Sequence, residues 1–148
     1  MIRVSVIAVS ILGSVLSLAC QPYTSGLQQS VGKTDEISAI AAMHSIVAAQ
    51  RTYSLSNGGD YGTFQQLSAG GFLDSRFNSS RPELKDYVFT MEVIQKSAND
   101  SAGGFSCNAD PKRDGPQAGR HFYVDSTTPE IHVNPSQKAT AQDAVLAP

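Results

Sequence analysis

Between Asp35 and Tyr53 apolar positions recur at three- and four-residue steps: Ile37, Ile40, Met43 and Val47, widened by Ile46 and Tyr53. On a helix of about 3.6 residues per turn this spacing collects them on one side, so it predicts a long amphipathic helix with these residues as its core-facing stripe. Ala39, Ala41, Ala42, Ala48 and Ala49 add helix propensity, and no Gly or Pro interrupts the run before Gly58 and Gly59. Thr34 or Asp35 is the expected N-cap, and Asp35 with Glu36 puts negative charge at the positive end of the helix dipole. A lone helix of this kind is marginal in water, so the rest of the chain must cover its stripe.

The pattern then changes. Asn57 to Gly62 is dense in turn residues, and Thr63 is placed to cap a short helix that turns Phe64 and Leu67 inward before Gly70 and Gly71. Phe72, Leu73 and Phe77 follow as loop anchors. From Tyr87 to Ile94 the period drops to two: Tyr87, Phe89, Met91 and Val93 form an apolar face, while Val88, Thr90, Glu92 and Ile94 form the other. Phe105–Ala109, Arg120–Val124 and Glu130–Val133 read as further strands, the last two joined as a hairpin through Asp125–Pro129. The expected fold class is α+β, with one long N-terminal amphipathic helix packed on a three- to four-stranded antiparallel sheet. Pro135 to Pro148 has little to bury and reads as a disordered tail.

Ahead of the helix lies a different kind of segment. Met1 to Cys20 carries one basic residue, Arg3, then an apolar run, then small residues before a cysteine, which is the layout of a secretory signal. The run is broken by Ser5, Ser10, Gly13, Ser14 and Ser17, short for a permanent span of about 20 residues. Its ending, Leu16-Ser17-Leu18-Ala19-Cys20, resembles a bacterial lipobox, which implies that Cys20 is lipidated and becomes the mature N-terminus. Ordinary cleavage near Ala19, leaving Cys20 a free or paired thiol, and an uncleaved anchor are the alternatives. Gln21 to Lys33 is polar and reads as a flexible tether. Gln21 rather than Asp follows the cysteine, which favours the outer membrane. The organisation expected is thus a signal sequence over 1–20, a tether over 21–33, a domain over 34–134 and a tail over 135–148.

Composition narrows the function classes. The 148 residues are 41% hydrophobic and 16% charged with formal net charge -2, and the 11 basic residues are scattered, so nothing points to nucleic acid. With Cys20 acylated, Cys107 has no partner in the chain and is either a small buried residue or an exposed thiol.

Candidate chemistry is sparse. His44, His121 and His132 are the three histidines, and three imidazoles suit zinc if they converge, but no H-x-x-x-H or C-x-x-C spacing accompanies them. Asp110, Asp114 and Asp125 offer the hard oxygen ligands that calcium takes, without the spaced acidic ligands of an EF-hand loop. Asp86, Glu92 and Glu130 are candidate acid/base carboxylates, and no nucleophile elbow, phosphate loop or Cys/His pair joins them. The expectation is a protein without enzymatic activity or obligate cofactor, with a small ligand- or calcium-binding lipoprotein as the other reading.

The order of several pieces carries a resemblance. Glu36-x-x-Ala39-Ile40, Ile46, Ala49-Gln50-x-Thr52-Tyr53, Gly59-x-Tyr61-Gly62 and Leu67 are followed by Gly71-Phe72-Leu73-Asp74 and Tyr87-x-Phe89. Asn108-Ala109-Asp110-Pro111, Gly119-Arg120-x-Phe122-Tyr123-x-Asp125 and Ile131 complete the set. Together they resemble the globular part of bacterial type IV pilin-like proteins, including the pseudopilins of type II secretion, over about residues 34–134. The resemblance implies a pilin-like domain, and protein contacts with pilus or secretion components as its role. The chain departs from that family at its N-terminus, where no acidic residue interrupts the apolar segment and the cysteine stands instead. The half-helix that packs a pilus core is missing, so polymerisation as a conventional subunit is not implied.

Overall fold

The computed structural model describes residues 23–97, 103–115 and 118–147, with side chains described from residue 32 onward. Helix α1, Tyr23–Ser56, leads into the short α2, Phe64–Ala69, and a 3-10 turn at Ser75–Phe77. Six strands follow: β1 (Glu83–Leu84), β2 (Tyr87–Ile94), β3 (Gly104–Pro111), β4 (His121–Asp125), β5 (His132–Asn134) and β6 (Ala144–Val145). They form one antiparallel sheet in the order β1-β2-β3-β4-β5-β6, each strand beside its neighbour in the chain.

The α+β class and the helix-on-sheet arrangement are as the periodicities require. The sheet has six strands rather than three or four, because a two-residue strand was added at each edge. At one edge, Lys85 and Asp86 turn β1 into β2, with Lys85 at φ 53 and no Gly or Asn to signal the reversal. At the other edge, β6 pairs with β5 through His132↔Val145 and Val133↔Ala144.

Two boundary expectations are corrected with it. The backbone is already helical at Tyr23, inside the segment read as a tether, so neither Thr34 nor Asp35 is an N-cap and Asp35 is a buried residue in mid-helix. Residues 135–147 are not a disordered tail. Asn134 Nδ2 donates to Asp143 Oδ1 at 2.7 Å, Leu146 N donates to Ile131 O at 2.7 Å, and Ala139 is buried. This segment is held by these hydrogen bonds together with the burial of Ala139 and the packing of Leu146 against the core, which its polar composition conceals.

The core lies between α1 and the inner sheet face. Met43, Ile46, Ala39 and Val47 from the helix meet Phe89, Cys107, Ala109, Phe122 and Val124 from the strands. The β2 alternation is borne out: Tyr87 and Phe89 are buried and Met91 and Val93 partly so, on the face that packs against the core. Ile40 and Tyr53 sit at the margins, Tyr53 edge-on to Phe72 with centroids 5.5 Å apart. Ile37, expected in the stripe, is 67% exposed. At about 100° per residue it lies roughly 120° around the axis from Met43, and the true stripe is centred on Ala39, Met43, Ile46 and Gln50. The alanines let the helix approach the sheet closely, and Phe64, Phe77 and Phe89 close one end of the core through ring contacts at 5.9 and 5.5 Å.

Helix α2 forms as its cap predicts. Thr63 Oγ1 accepts from Gln66 N at 3.3 Å while Gln66 Oε1 accepts from Thr63 N at 2.8 Å, a reciprocal capping box.

Candidate functional site

Three structures within the fold hold polar side chains in defined places: two polar clamps that tie α1 to the rest, the outer sheet face, and the free edge of β2.

The first clamp is Gln50, fully buried on α1. Its Nε2 donates to Gly62 O at 2.7 Å and its Oε1 accepts from Gly62 N at 3.0 Å, so one amide satisfies both backbone groups of a buried loop residue. Nε2 also lies 3.2 Å from Met91 Sδ. The second clamp is Glu36. One carboxylate oxygen accepts from Arg120 N at 2.9 Å, and the other from Arg120 Nε and Nη2 at 3.1 and 2.9 Å. Tyr87 Oη donates to Arg120 O at 2.8 Å, and burial, with Glu36 nearby, pushes that phenol well above its ordinary range. A Cβ on Gly119 would run into the Tyr87 hydroxyl, so only glycine lets this corner close.

On the outer sheet face, the register lines up Asp110, His121 and Asn134 in one row and Asn108, Tyr123 and His132 in the next. His121 Nδ1 lies 2.7 Å from Asp110 Oδ1, and His132 Nδ1 lies 2.8 Å from Asp143 O. His121 and His132 are therefore diagonal neighbours, as adjacent strands allow, whereas His44 is exposed on α1. Among the described residues no group of three or more His, Cys, Asp or Glu side chains is arranged to hold a metal ion.

The acidic trio does not converge. Asp110 is engaged by His121, and Asp114 is exposed in the loop beyond β3. Asp125 pairs in register with Ser106, four residues back along β3 from Asp110 and thus about 13 Å away. Burial alone would raise the Asp125 carboxyl, but bonds from Thr127, Thr128 and Tyr123 outweigh it and hold the group below its ordinary value. Asp125 is thereby a turn-former, and a shared calcium site from these three residues is not what the strands build. The candidate acid/base carboxylates are likewise apart: Asp86 in the β1–β2 turn beside Arg113, Glu92 on the outer face of β2, Glu130 exposed before β5.

Cys107 is wholly buried in β3, and desolvation raises its thiol far above the ordinary value, so it is a packing residue with little thiolate character. Cys20 lies outside the described residues. Among these, no helix is long and apolar enough to cross a membrane.

The free edge of β2 was not foreseen from the sequence. β1 covers β2 only as far as Phe89, whose N–H donates to Pro82 O at 2.9 Å; the chain at Ser80 and Arg81 then turns away. A groove of 460 Å³ lined by Arg81, Thr90, Glu92, Asn108 and Lys138 opens on the outer side of this edge. Another, of 290 Å³, opens on the side of α2, with Phe64, Met91 and Val93 in its wall. Asn108 Nδ2, donating to Ala139 O at 2.8 Å, holds the segment that carries Lys138 over the sheet. Thr90 Oγ1 is buried at the first groove and is, among the described residues, the one buried side-chain polar atom without a hydrogen-bond partner. The edge depends on where the β1–β2 pairing stops, and no residue pattern in the chain marks that point.

Searches against protein-family models, curated proteins and solved structures returned no match for this chain.

Proposed function

We propose that the chain is a non-enzymatic, lipid-anchored protein of the bacterial envelope. In this reading its pilin-like α+β domain makes protein contacts and is accessory to a type IV pilus or a type II secretion system. The observation that carries this reading is the lipobox-like ending at Cys20 set directly ahead of a 34-residue helix laid on an antiparallel meander. Residues that carry the pilin-like motif order also meet one another: Glu36 with Arg120, Gln50 with Gly62, and Tyr53 with Phe72. These contacts tie the helix to the loops flanking α2 and to the start of β4. Gln21 after the cysteine favours the outer membrane. With Cys20 acylated, the described part of α1 begins at Tyr23, three residues after the anchor.

Mass spectrometry of the protein purified from membranes tests the anchor: the expected species begins at Cys20 and carries a diacylglyceryl group joined to its sulfur by a thioether bond. An unmodified Cys20, or an intact Met1, refutes it. Crosslinking in cells followed by identification of pilus or secretion subunits tests the role, and a crosslinked set devoid of both removes the accessory assignment.

A further inference from the structure

We infer that the free edge of β2 is a docking site for the C-terminal segment of a partner polypeptide, bound as an added antiparallel strand with its terminal carboxylate at Arg81. The inference rests on the domain's being a protein-contact module and is independent of the lipid anchor.

The backbone supplies the first half of the argument. Successive residues of an antiparallel strand direct their N–H and C=O groups to alternate sides. Phe89 points toward β1, since its N–H meets Pro82 O, so Met91 and Val93 point the same way. Ser80, which would pair with Met91 if β1 continued, makes no such bond, and among the described residues no backbone group pairs with Met91 or Val93 on that side. Two residues therefore present donors and acceptors at strand spacing to an open groove, which is the requirement for β-strand addition.

Direction follows from the register. β1 runs antiparallel to β2, and a strand placed opposite Val93 and Met91 in the same sense reaches Ser80 and Arg81 at its C-terminal end. The chain at Arg81 blocks further extension, so the occupant must stop there. Arg81 and Lys138 are both exposed, and neither has an ion-pair or hydrogen-bond partner among the described residues. They supply the positive charge that a terminal carboxylate requires, at the groove where the added strand would end. Side-chain preference follows from the alternation of faces. The last residue and the second before it, opposite Met91 and Val93, face the groove beside Phe64 and suit small apolar side chains. The residue between them faces Glu92, which suits Lys or Arg. Glu92 also opposes its own copy in a symmetric β2–β2 pairing, which disfavours a second molecule of this chain as the occupant.

The test uses the purified protein and a fluorescein-labelled peptide, Gly-Ser-Thr-Ile-Lys-Val with a free C-terminus, in a polarisation titration. Three controls accompany it: the C-terminal amide, a peptide with Pro in place of Ile, and the Arg81→Ala protein. The expected result is saturable binding of the free acid, weakened at least ~10-fold by amidation and by Arg81→Ala, and abolished by Pro, which cannot donate to Val93 O. Amide shifts confined to Met91, Val93 and their neighbours place the peptide. No binding at millimolar peptide, or binding indifferent to amidation and to Arg81→Ala, overturns the inference. Concentration-dependent dimerisation that the peptide does not reverse also overturns it, by giving the edge to a second copy. A failed peptide titration with Cys20 acylated and crosslinks to envelope subunits intact refutes the edge site alone; an unmodified Cys20 refutes the anchor alone.

Discussion

Replacing Gln50 with Leu tests whether the helix is tied to the following loop by one buried amide. The substitution keeps nearly the same volume at a fully buried position, so it leaves no large cavity, but it strands both the N–H and the C=O of Gly62. Gly62 is itself buried between Tyr53 and Leu67, where water cannot replace the lost partner. Each stranded group costs about 1–3 kcal/mol, and the apolar side chain returns part of that, so the net loss is about 2–5 kcal/mol. Against a domain stability on the order of 5–15 kcal/mol this is a large fraction. Urea unfolding followed by circular dichroism reads it as a midpoint lowered by about 1–2 M at unchanged slope. Gln50→Glu adds an internal check through its pH dependence. The carboxylate still accepts from Gly62 N but faces Gly62 O, and burial raises its folded pKa above the unfolded value of about 4.3. Its destabilisation is therefore full at neutral pH and shrinks as pH falls through the folded pKa, where the protonated group can donate again. A Gln50→Leu protein within about 0.5 kcal/mol of the parent would refute the reasoning, since surface-like tolerance is incompatible with two orphaned buried groups.

Other outcomes follow from the packing and the polar clamps. Met43→Ala should cost about 2–5 kcal/mol, whereas Ile37→Ala should stay within about 0.5 kcal/mol, and equal effects in parallel melts would mean that the helix face is assigned wrongly. Gly119→Ala should cost about 1–3 kcal/mol by forcing Tyr87 off Arg120, with a chemical-shift change at Glu36; a silent variant would show that the corner has slack. Asp143 is held below its ordinary 3.8 by bonds from Asn134 and from the N–H and hydroxyl of Thr140. Because the folded value is the lower one, its contribution is present above pH 3.8 and is lost as pH falls through that depressed value. Hydrogen exchange at Thr140 and Leu146 should quicken in that acid range, and Asp143→Asn should flatten the dependence; identical profiles would dismiss the carboxylate as the cause.

Much of the architecture is legible in the chain because two periods are written into it without ambiguity. The helix declares itself from Asp35 to Tyr53, the capping residues Thr63 and Gln66 mark α2, and the alternation of Tyr87 to Ile94 assigns both faces of β2 correctly. The phase of the helix is less secure: with alanines on the buried face and an isoleucine outside it, size misleads, and Ile37 is drawn into a stripe to which Ala39 and Gln50 belong. The edge strands escape because each is two residues long and one turn rests on Lys85 rather than glycine. Polar side chains hide the order of the last residues, since Asn134, Thr140 and Asp143 satisfy one another. Candidate sites fare worst. Whether Asp110 and Asp125 meet, or Met91 faces open space, depends on register, which hydropathy does not encode.

The strictly sequential order of the sheet bears on how the chain reaches this state. Every strand pairs with the one before it, so the meander can zip by successive hairpins, each closing a short loop at modest entropic cost. The long closure is the docking of α1, which Glu36 and Arg120 make across 84 positions of sequence. If that contact forms after the folding barrier, as its long closure suggests, weakening it should hasten unfolding while leaving the refolding rate nearly unchanged; a slowed refolding rate in Glu36→Gln would refute this order. On that order, the lifetime of the native form would depend on the helix–sheet seam and the speed of its formation on the hairpins.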